Sequence, residues 1–239
     1  MSRRGLGTSY RIAAGVLRPA IRLATSHEWS GAEHLPGSGG FVVCSNHISD
    51  SDPVALAHFL FDSGHPPYFL AKSALFSVPV VGRVVRGAGQ IPVYRDGPQA
   101  VQAFAPAVEA VRAGKCVAIY PEGTVTRDPD LWPMTGKTGA ARVTLETGCP
   151  LIPVAQWGAH ELLPYHSLRP RLFPRKQMRI VAGPPVDLDD LRARPIDATV
   201  LREATARIMA DITRLLLPLR PGETPPATPF DRRTMEKPG

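Results

Sequence analysis

Long hydrophobic runs are missing from this chain of 239 residues. No uninterrupted apolar stretch reaches the ~18–20 residues that a bilayer-crossing helix requires, which argues against a membrane span. Cysteine is scarce. Cys44, Cys116 and Cys149 are an odd number with no metal-type spacing, which argues against a disulfide framework or a cysteine-based metal site. Each lies in or beside an apolar strand-like run, so reduced, buried thiols in a cytosolic protein are expected. No basic neighbourhood surrounds them to activate a thiolate. Lysine is scarce too: Lys72, Lys115, Lys137, Lys176 and Lys237 are all there are, so the net charge of +7 rests mostly on arginine. No clean apolar core or cleavage site follows Arg3 and Arg4, and no signal peptide is expected. There is no internal repeat. No recognition motif or aromatic stacking pattern accompanies the basic charge, so no nucleic-acid partner is expected. What remains is a composition 44% hydrophobic, enough for one large domain with a real core.

The stretch that organises the rest is Ser45-Asn46-His47-Ile48-Ser49-Asp50-Ser51-Asp52-Pro53. Before it, Phe41-Val42-Val43-Cys44 reads as a short buried strand. After it, Pro53 to Phe61 reads as a helix with proline at its first position. His47 and Asp52 therefore share a strand-to-helix turn, at the carboxyl end of the strand, where parallel α/β sheets place their sites. A carboxylate there can fix the imidazole tautomer and leave the other ring nitrogen free to take a proton. Asp52 ahead of Pro53 is equally a good helix N-cap, and the residues alone leave both roles open.

Strand and helix signals then alternate. Tyr68–Ala71, Gln90–Val93, Lys115–Tyr120, Leu151–Ala155 and Met178–Ala182 read as strands. Gln99–Ala113 and Thr138–Thr147 read as helices, and Asp197 caps a long amphipathic helix to about Leu217. The pattern predicts a single α/β domain with a mostly parallel central sheet flanked by helices. The expected division is an amphipathic helical segment over 1–28, the α/β domain over 29–220 and a disordered proline-rich tail over 221–239. In residues 4–26, Arg4, Arg11, Arg18 and Arg22 fall within roughly 40° of a helical wheel, beside an apolar face that includes Leu17 and Ile21. Pro19 divides the segment into two short helices. Such a face suits helices lying in the headgroup region of an anionic membrane; a helix packed on the domain with solvated arginines fits equally.

Two more strand ends carry chemistry. Gly89-Gln90-Ile91-Pro92-Val93-Tyr94-Arg95 closes with an arginine whose planar fork suits phosphate. Tyr120-Pro121-Glu122-Gly123-Thr124 closes with a carboxylate, a glycine and a hydroxyl, and the amides near Gly123 with the Thr124 hydroxyl suit an anion. Each alone reads as easily as an ordinary turn.

Taken in order, Asn46-His47-x-Ser49-x-x-Asp52-Pro53, Gly89-x-Ile91-Pro92-Val93-x-Arg95, Tyr120-Pro121-Glu122-Gly123-Thr124 and Leu151-Ile152-Pro153-Val154-Ala155 closely resemble the glycerolipid acyltransferase family. More narrowly they resemble the bacterial 1-acylglycerol-3-phosphate O-acyltransferases of the PlsC type. The resemblance implies that His47 is a general base partnered by Asp52, and that Arg95 with Glu122, Gly123 and Thr124 holds a glycerol phosphate. Lys72 and Lys137 match basic positions of less defined role. It further implies a lysophospholipid acceptor, acyl-CoA or acyl carrier protein as donor, no cofactor, no metal and no covalent acyl-enzyme. The expected location is the cytoplasmic face of the cell membrane, as a monotopic protein docked through residues 4–26. Two departures stand out. Val125 follows Thr124 where relatives often carry arginine, which moves that role to Arg127, and Ala74 stands where many carry glutamate. The change at Val125 keeps another lysolipid or a glycolipid open as acceptor; a catalytically silent lipid-binding module is the remaining alternative.

Overall fold

Phe41-Val42-Val43-Cys44-Ser45 forms a strand with every residue buried, and it lies at the centre of the sheet. The structure is a computed structural model that describes residues 15, 19, 21–93, 103–165, 167 and 169–231. Its strands are β1 (Thr25–Ser30), β2 (Phe41–Ser45), β3 (Pro67–Lys72), β4 (Ile91–Val93), β5 (Cys116–Ile119), β6 (Leu151–Trp157) and β7 (Lys176–Ala182). Its helices are α1 (Asp52–Asp62), α2 (Val81–Gly87), α3 (Ala105–Arg112), α4 (Gly139–Thr147), α5 (Ala159–Leu162), α6 (Asp189–Arg192) and α7 (Ala198–Leu216). The strand order is β1-β7-β6-β2-β5-β3-β4. All neighbours run parallel except β6 and β7, which bears out the mostly parallel α/β sheet.

Side chains of β2 alternate between two cores, as the period of two along a strand requires. Val42 and Cys44 join α3, α4 and α7 on one face. Phe41 and Val43 join α1 on the other. The chain therefore leaves β2 toward one face through α1, and leaves neighbouring β5 toward the other through α4. Where two adjacent connections diverge in this way, a crevice opens beyond the carboxyl ends of the strands. His47 and Gly123 both sit there.

Local expectations hold at several element ends. Asp197 caps α7, its carboxylate accepting the Thr199 and Val200 N–H groups at 2.8 Å each. The helix expected over Gln99–Ala113 is shorter as described: residues 103–104 form a turn and α3 starts at Ala105, which puts Pro106 in the first turn, where its missing N–H leaves no hydrogen bond unmade.

Three expectations change. Residues 25–28, assigned to the N-terminal helical segment, belong to β1, which pairs in parallel with β7; helix ends at residue 24. The partner strand lies some 150 residues downstream, so local pattern could not indicate it. Second, Ser73–Ser77 forms a 3-10 turn that leads into α2, a helical hairpin that no periodicity announced. Third, the tail expected to be disordered from 221 is tied to the domain as far as it is described. Arg220 lies between the rings of Trp132 and Trp157, 3.8 and 4.4 Å from their centroids, and its guanidinium pairs with Glu223. Farther on, the Thr135 N–H donates to the Phe230 carbonyl at 3.0 Å. Of the proposed N-terminal docking residues, Arg4, Arg11, Leu17 and Arg18 lie outside the described residues. No helix among the described residues is long and apolar enough to cross a membrane.

Candidate active site

The turn after β2 brings His47 and Asp52 together. His47 Nδ1 lies 2.8 Å from Asp52 Oδ2. The same oxygen accepts the Ile48 and Ser49 N–H groups at 2.5 and 2.8 Å. With that oxygen acting as acceptor for all three, Nδ1 carries the ring proton and Nε2 carries the lone pair. Asp52 is fully buried. Its carboxylate accepts amides that precede it rather than the N–H groups of the first helical turn, and Ser51 holds the N-cap position of α1. Capping is therefore not what the aspartate supplies. Two hydroxyls fasten the turn from outside: Ser49 Oγ donates to the Leu163 carbonyl at 2.7 Å, and Ser51 Oγ to the Ala159 carbonyl at 3.1 Å.

Tyr120, at the end of β5, stacks under the imidazole with centroids 4.2 Å apart. Burial pushes its phenol well above the ordinary range, so at neutral pH it offers a neutral aromatic face. A second tie joins Asn46 of the motif to Gln156, which no motif singled out. Gln156 N–H donates to Asn46 Oδ1 at 2.9 Å, and Asn46 Nδ2 donates back to the Gln156 carbonyl at 3.0 Å. Gln156 Nε2 completes the set on the Asn46 carbonyl at 2.9 Å. The Asn46 side chain thus continues the β2–β6 pairing one residue past the strand. The available signal was a glutamine inside the otherwise apolar run Leu151–Trp157, which demands a buried partner.

Glu122 occupies a different place from a ligand-holding residue. It is 3% exposed. Its Oε1 accepts the His47 N–H at 3.0 Å and its Oε2 the Met134 N–H at 2.9 Å. It joins the His47 turn to the 126–134 loop. Burial pushes its carboxyl up to about 8, against the pull of the two amides. The folded value is above the ordinary 4.5, so unfolding releases a proton between the two. The glutamate's contribution is fully present below about 4.5 and is lost as pH rises through about 8. Gln in its place has one acceptor for two N–H groups. We expect Glu122→Gln to lower unfolding free energy at pH 5 by about 1–3 kcal/mol, and the deficit to shrink as pH rises to 8, as urea denaturation at each pH would read.

Gly123 adopts φ +74, and a Cβ there would sit 3.2 Å from Lys137 Cδ, Cε and Nζ. The lysine side chain therefore passes directly over the glycine backbone. The Lys137 N–H also donates to the Pro121 carbonyl at 2.8 Å. Gly123→Ala should cost about 1–2 kcal/mol for the left-handed backbone and displace the lysine. Urea denaturation of the variant and the parent reads that cost.

His47, Lys72, Gly123, Thr124 and Lys137 line one cavity of about 1160 Å³. The rest of its wall is mostly apolar, with Val54, Phe61, Phe69, Leu75, Val84 and Phe104 among its residues. It exceeds the ~300–1,000 Å³ of ordinary small-ligand pockets. Ile21 lines it as well, while Arg22 pairs with Asp62 at 3.1 Å. Arg127 is exposed and does not contribute to the wall; Arg95 lies outside the described residues. The three cysteines are buried, and burial pushes each thiol upward.

Fold and site together define a class: an α/β protein with a His–Asp pair at the carboxyl end of its central strand, opening on a large, mostly apolar cavity whose lining includes Lys72 and Lys137. A family model described as Acyltransferase matches residues 26–157, more than half of the sequence, and the chain belongs to that family. It is similar to the chloroplastic 1-acyl-sn-glycerol-3-phosphate acyltransferase BAT2 of Brassica napus, 32% identical over 139 residues, 57% of this chain and 39% of that one. It is 30% identical over 132 residues to a 1-acyl-sn-glycerol-3-phosphate acyltransferase of Borreliella burgdorferi, 55% of this chain and 51% of that one. The chain thus spans about half or less of these curated relatives. Among solved structures, the 1-acyl-sn-glycerophosphate (LPA) acyltransferase PlsC of Thermotoga maritima superposes with a TM-score of 0.63 at 23% identity, over 86% of this chain and 79% of that one. At that identity the likeness speaks for the fold.

Proposed function

We propose that the protein transfers a fatty acyl chain from an acyl thioester to the free hydroxyl of a lysophospholipid, with 1-acylglycerol 3-phosphate as acceptor and phosphatidic acid as product. The observation that carries this reading is the position of His47. Its Nδ1 is fixed by a buried carboxylate, and the residue opens on an apolar cavity that also holds Lys72 and Lys137. Nε2 takes the proton of the acceptor hydroxyl as its oxygen attacks the thioester carbonyl. Asp52 stabilises the imidazolium that forms. Collapse of the tetrahedral adduct breaks the carbon–sulfur bond, and the imidazolium returns its proton to the leaving thiolate. The cavity holds the acyl chain, and Lys137 and Lys72, with Thr124 and Gly123 beneath, face the phosphate. In this reading Arg95 serves the same phosphate.

In this scheme the donor is acyl-CoA or acyl carrier protein, and neither a metal, a cofactor nor a covalent acyl-enzyme takes part. The protein works as a peripheral, monotopic enzyme on the cytoplasmic face of the membrane, held on anionic lipid by residues 4–26. One observation favours a second reading. Arg127 is exposed and outside the cavity wall, so the loop supplies less phosphate-binding charge than the family pattern, and another lysolipid or a glycolipid then serves as acceptor. A panel decides between them: 1-acylglycerol 3-phosphate, lysophosphatidylcholine and monoacylglycerol, each with acyl-CoA and with acyl carrier protein donors. The first reading expects at least a tenfold preference in kcat/KM for the phosphomonoester. Equal use of all acceptors selects the second, and no product from any acceptor overturns both.

A further inference from the structure

The hairpin formed by Ser73–Ser77 and α2 carries apolar side chains where packing would bury them or solvent would select against them. Leu75, Val78, Val80 and Val84 are all exposed, Val80 to 64%. Val80 stands at φ 68, a conformation that a β-branched residue adopts only against steric cost. The hairpin is nonetheless tightly closed. The Gly82 N–H donates to the Val78 carbonyl at 2.7 Å, and a Cβ on Gly82 would fall 2.2 Å from the Phe76 carbonyl oxygen. A strained valine held outward on a closed hairpin is a surface built to meet something apolar.

Charge identifies the occupant. No Asp or Glu occurs between Asp62 and Asp96, while Lys72, Arg83 and Arg86 do, and all three are exposed. The segment is apolar at its tip and its own charged side chains are all cationic, the complement of an anionic lipid leaflet. Its position agrees. Leu75 and Val84 of the hairpin line the cavity from inside. Ile21 lines it too, and Leu23 beside Ile21 is 77% exposed.

We infer that residues 75–84 form a second membrane contact, separate from residues 4–26, that seats Val78 and Val80 in the acyl-chain region of an anionic leaflet and places one wall of the cavity against the lipid. The inference deepens the lysolipid reading and rests on it for the identity of the ligand that enters. A lipid then moves from leaflet to cavity along an apolar wall without crossing water.

Nitroxide labels on Val80→Cys and on Arg202→Cys, an exposed position of α7, test it in the full chain. The three native cysteines are buried, so the introduced thiol is the one that reacts. On vesicles of phosphatidylglycerol and phosphatidylcholine, the label at 80 should gain accessibility to oxygen over a water-soluble nickel complex, and the label at 202 should not. A vesicle-bound protein whose label at 80 stays as wet as that at 202 overturns the inference. So does a label at 80 that is immobilised by acyl carrier protein and not by vesicles. Val78→Asp with Val80→Asp should weaken vesicle affinity at least about tenfold, since each removes a valine-sized apolar contact; unchanged affinity overturns it as well. Neither valine lines the cavity, so acyl transfer to a short-chain acceptor dissolved as monomer should keep the parental rate. Depth is read without turnover, so a chain that docks through Val80 but makes no phosphatidic acid contradicts the proposed reaction and leaves the docking surface standing.

Discussion

His47→Ala is expected to lower the rate of acyl transfer by about 10²–10⁴, the usual contribution of a general base. The loss should appear in kcat, with KM for either substrate changed far less, because in the proposed reaction the imidazole acts on the proton in flight rather than on the bound ground state. The fold should survive. The hydrogen bonds that place this turn use the His47 backbone: its N–H donates to Glu122 Oε1, and its carbonyl accepts the Thr126 N–H at 2.7 Å. Alanine keeps both. The side chain gives up its stacking on Tyr120, a contact of about 0.5–1.5 kcal/mol. A variant that melts near the parent but turns over a thousandfold more slowly therefore reports chemistry and not collapse.

Asp52→Asn should cost nearly as much, about 10²–10⁴, by a different route. Oδ2 accepts three donors in the parent. An asparagine that keeps its carbonyl oxygen on the two amides still accepts from Nδ1–H but carries no charge to stabilise the imidazolium. One that turns its NH₂ toward the ring forces Nδ1 to accept, which puts the proton on Nε2 and removes the base altogether. Stability should move little or rise. The rotamer with its carbonyl oxygen on the amides keeps their acceptor, and the other carboxylate oxygen, Oδ1, is buried with no hydrogen-bond partner among the described residues, so the neutral side chain relieves a desolvated charge. Activity and stability moving in opposite directions is the signature of a carboxylate kept for chemistry. A turnover within twofold of the parent would remove Asp52 from the dyad.

The parts legible in sequence were those written in contiguous residues. β2 is an apolar run, α1 begins at a proline, and His47 and Asp52 are five residues apart, so one turn contains the pair. Asp197 and its helix are likewise local. The features that escaped are relations between distant segments. β1 is a strand because β7 offers an edge to a sequence, Thr-Ser-His-Glu-Trp-Ser, with little strand character of its own. Asn46 and Gln156 are 110 residues apart, and neither alone declares the other. Glu122 shows the same limit within a motif. Its spacing suggested a ligand contact, whereas burial and two backbone amides give it the task of holding the loop that carries His47's neighbours. The hairpin of 73–87 showed no simple amphipathic period, because Leu75, Val84 and Val85 line the cavity while Val78 and Val80 stand exposed.

Acyl transfer to an acceptor has a stoichiometry that hydrolysis lacks. The parent protein, given long-chain acyl-CoA and vesicles carrying 1-acylglycerol 3-phosphate, should release one free thiol for each phosphatidic acid formed. Both should vanish together when the lysolipid is omitted. Thiol release that continues at the same rate without lysolipid, or that proceeds with no lipid product, would make the protein a hydrolase and contradict the assignment of His47 to an acceptor hydroxyl.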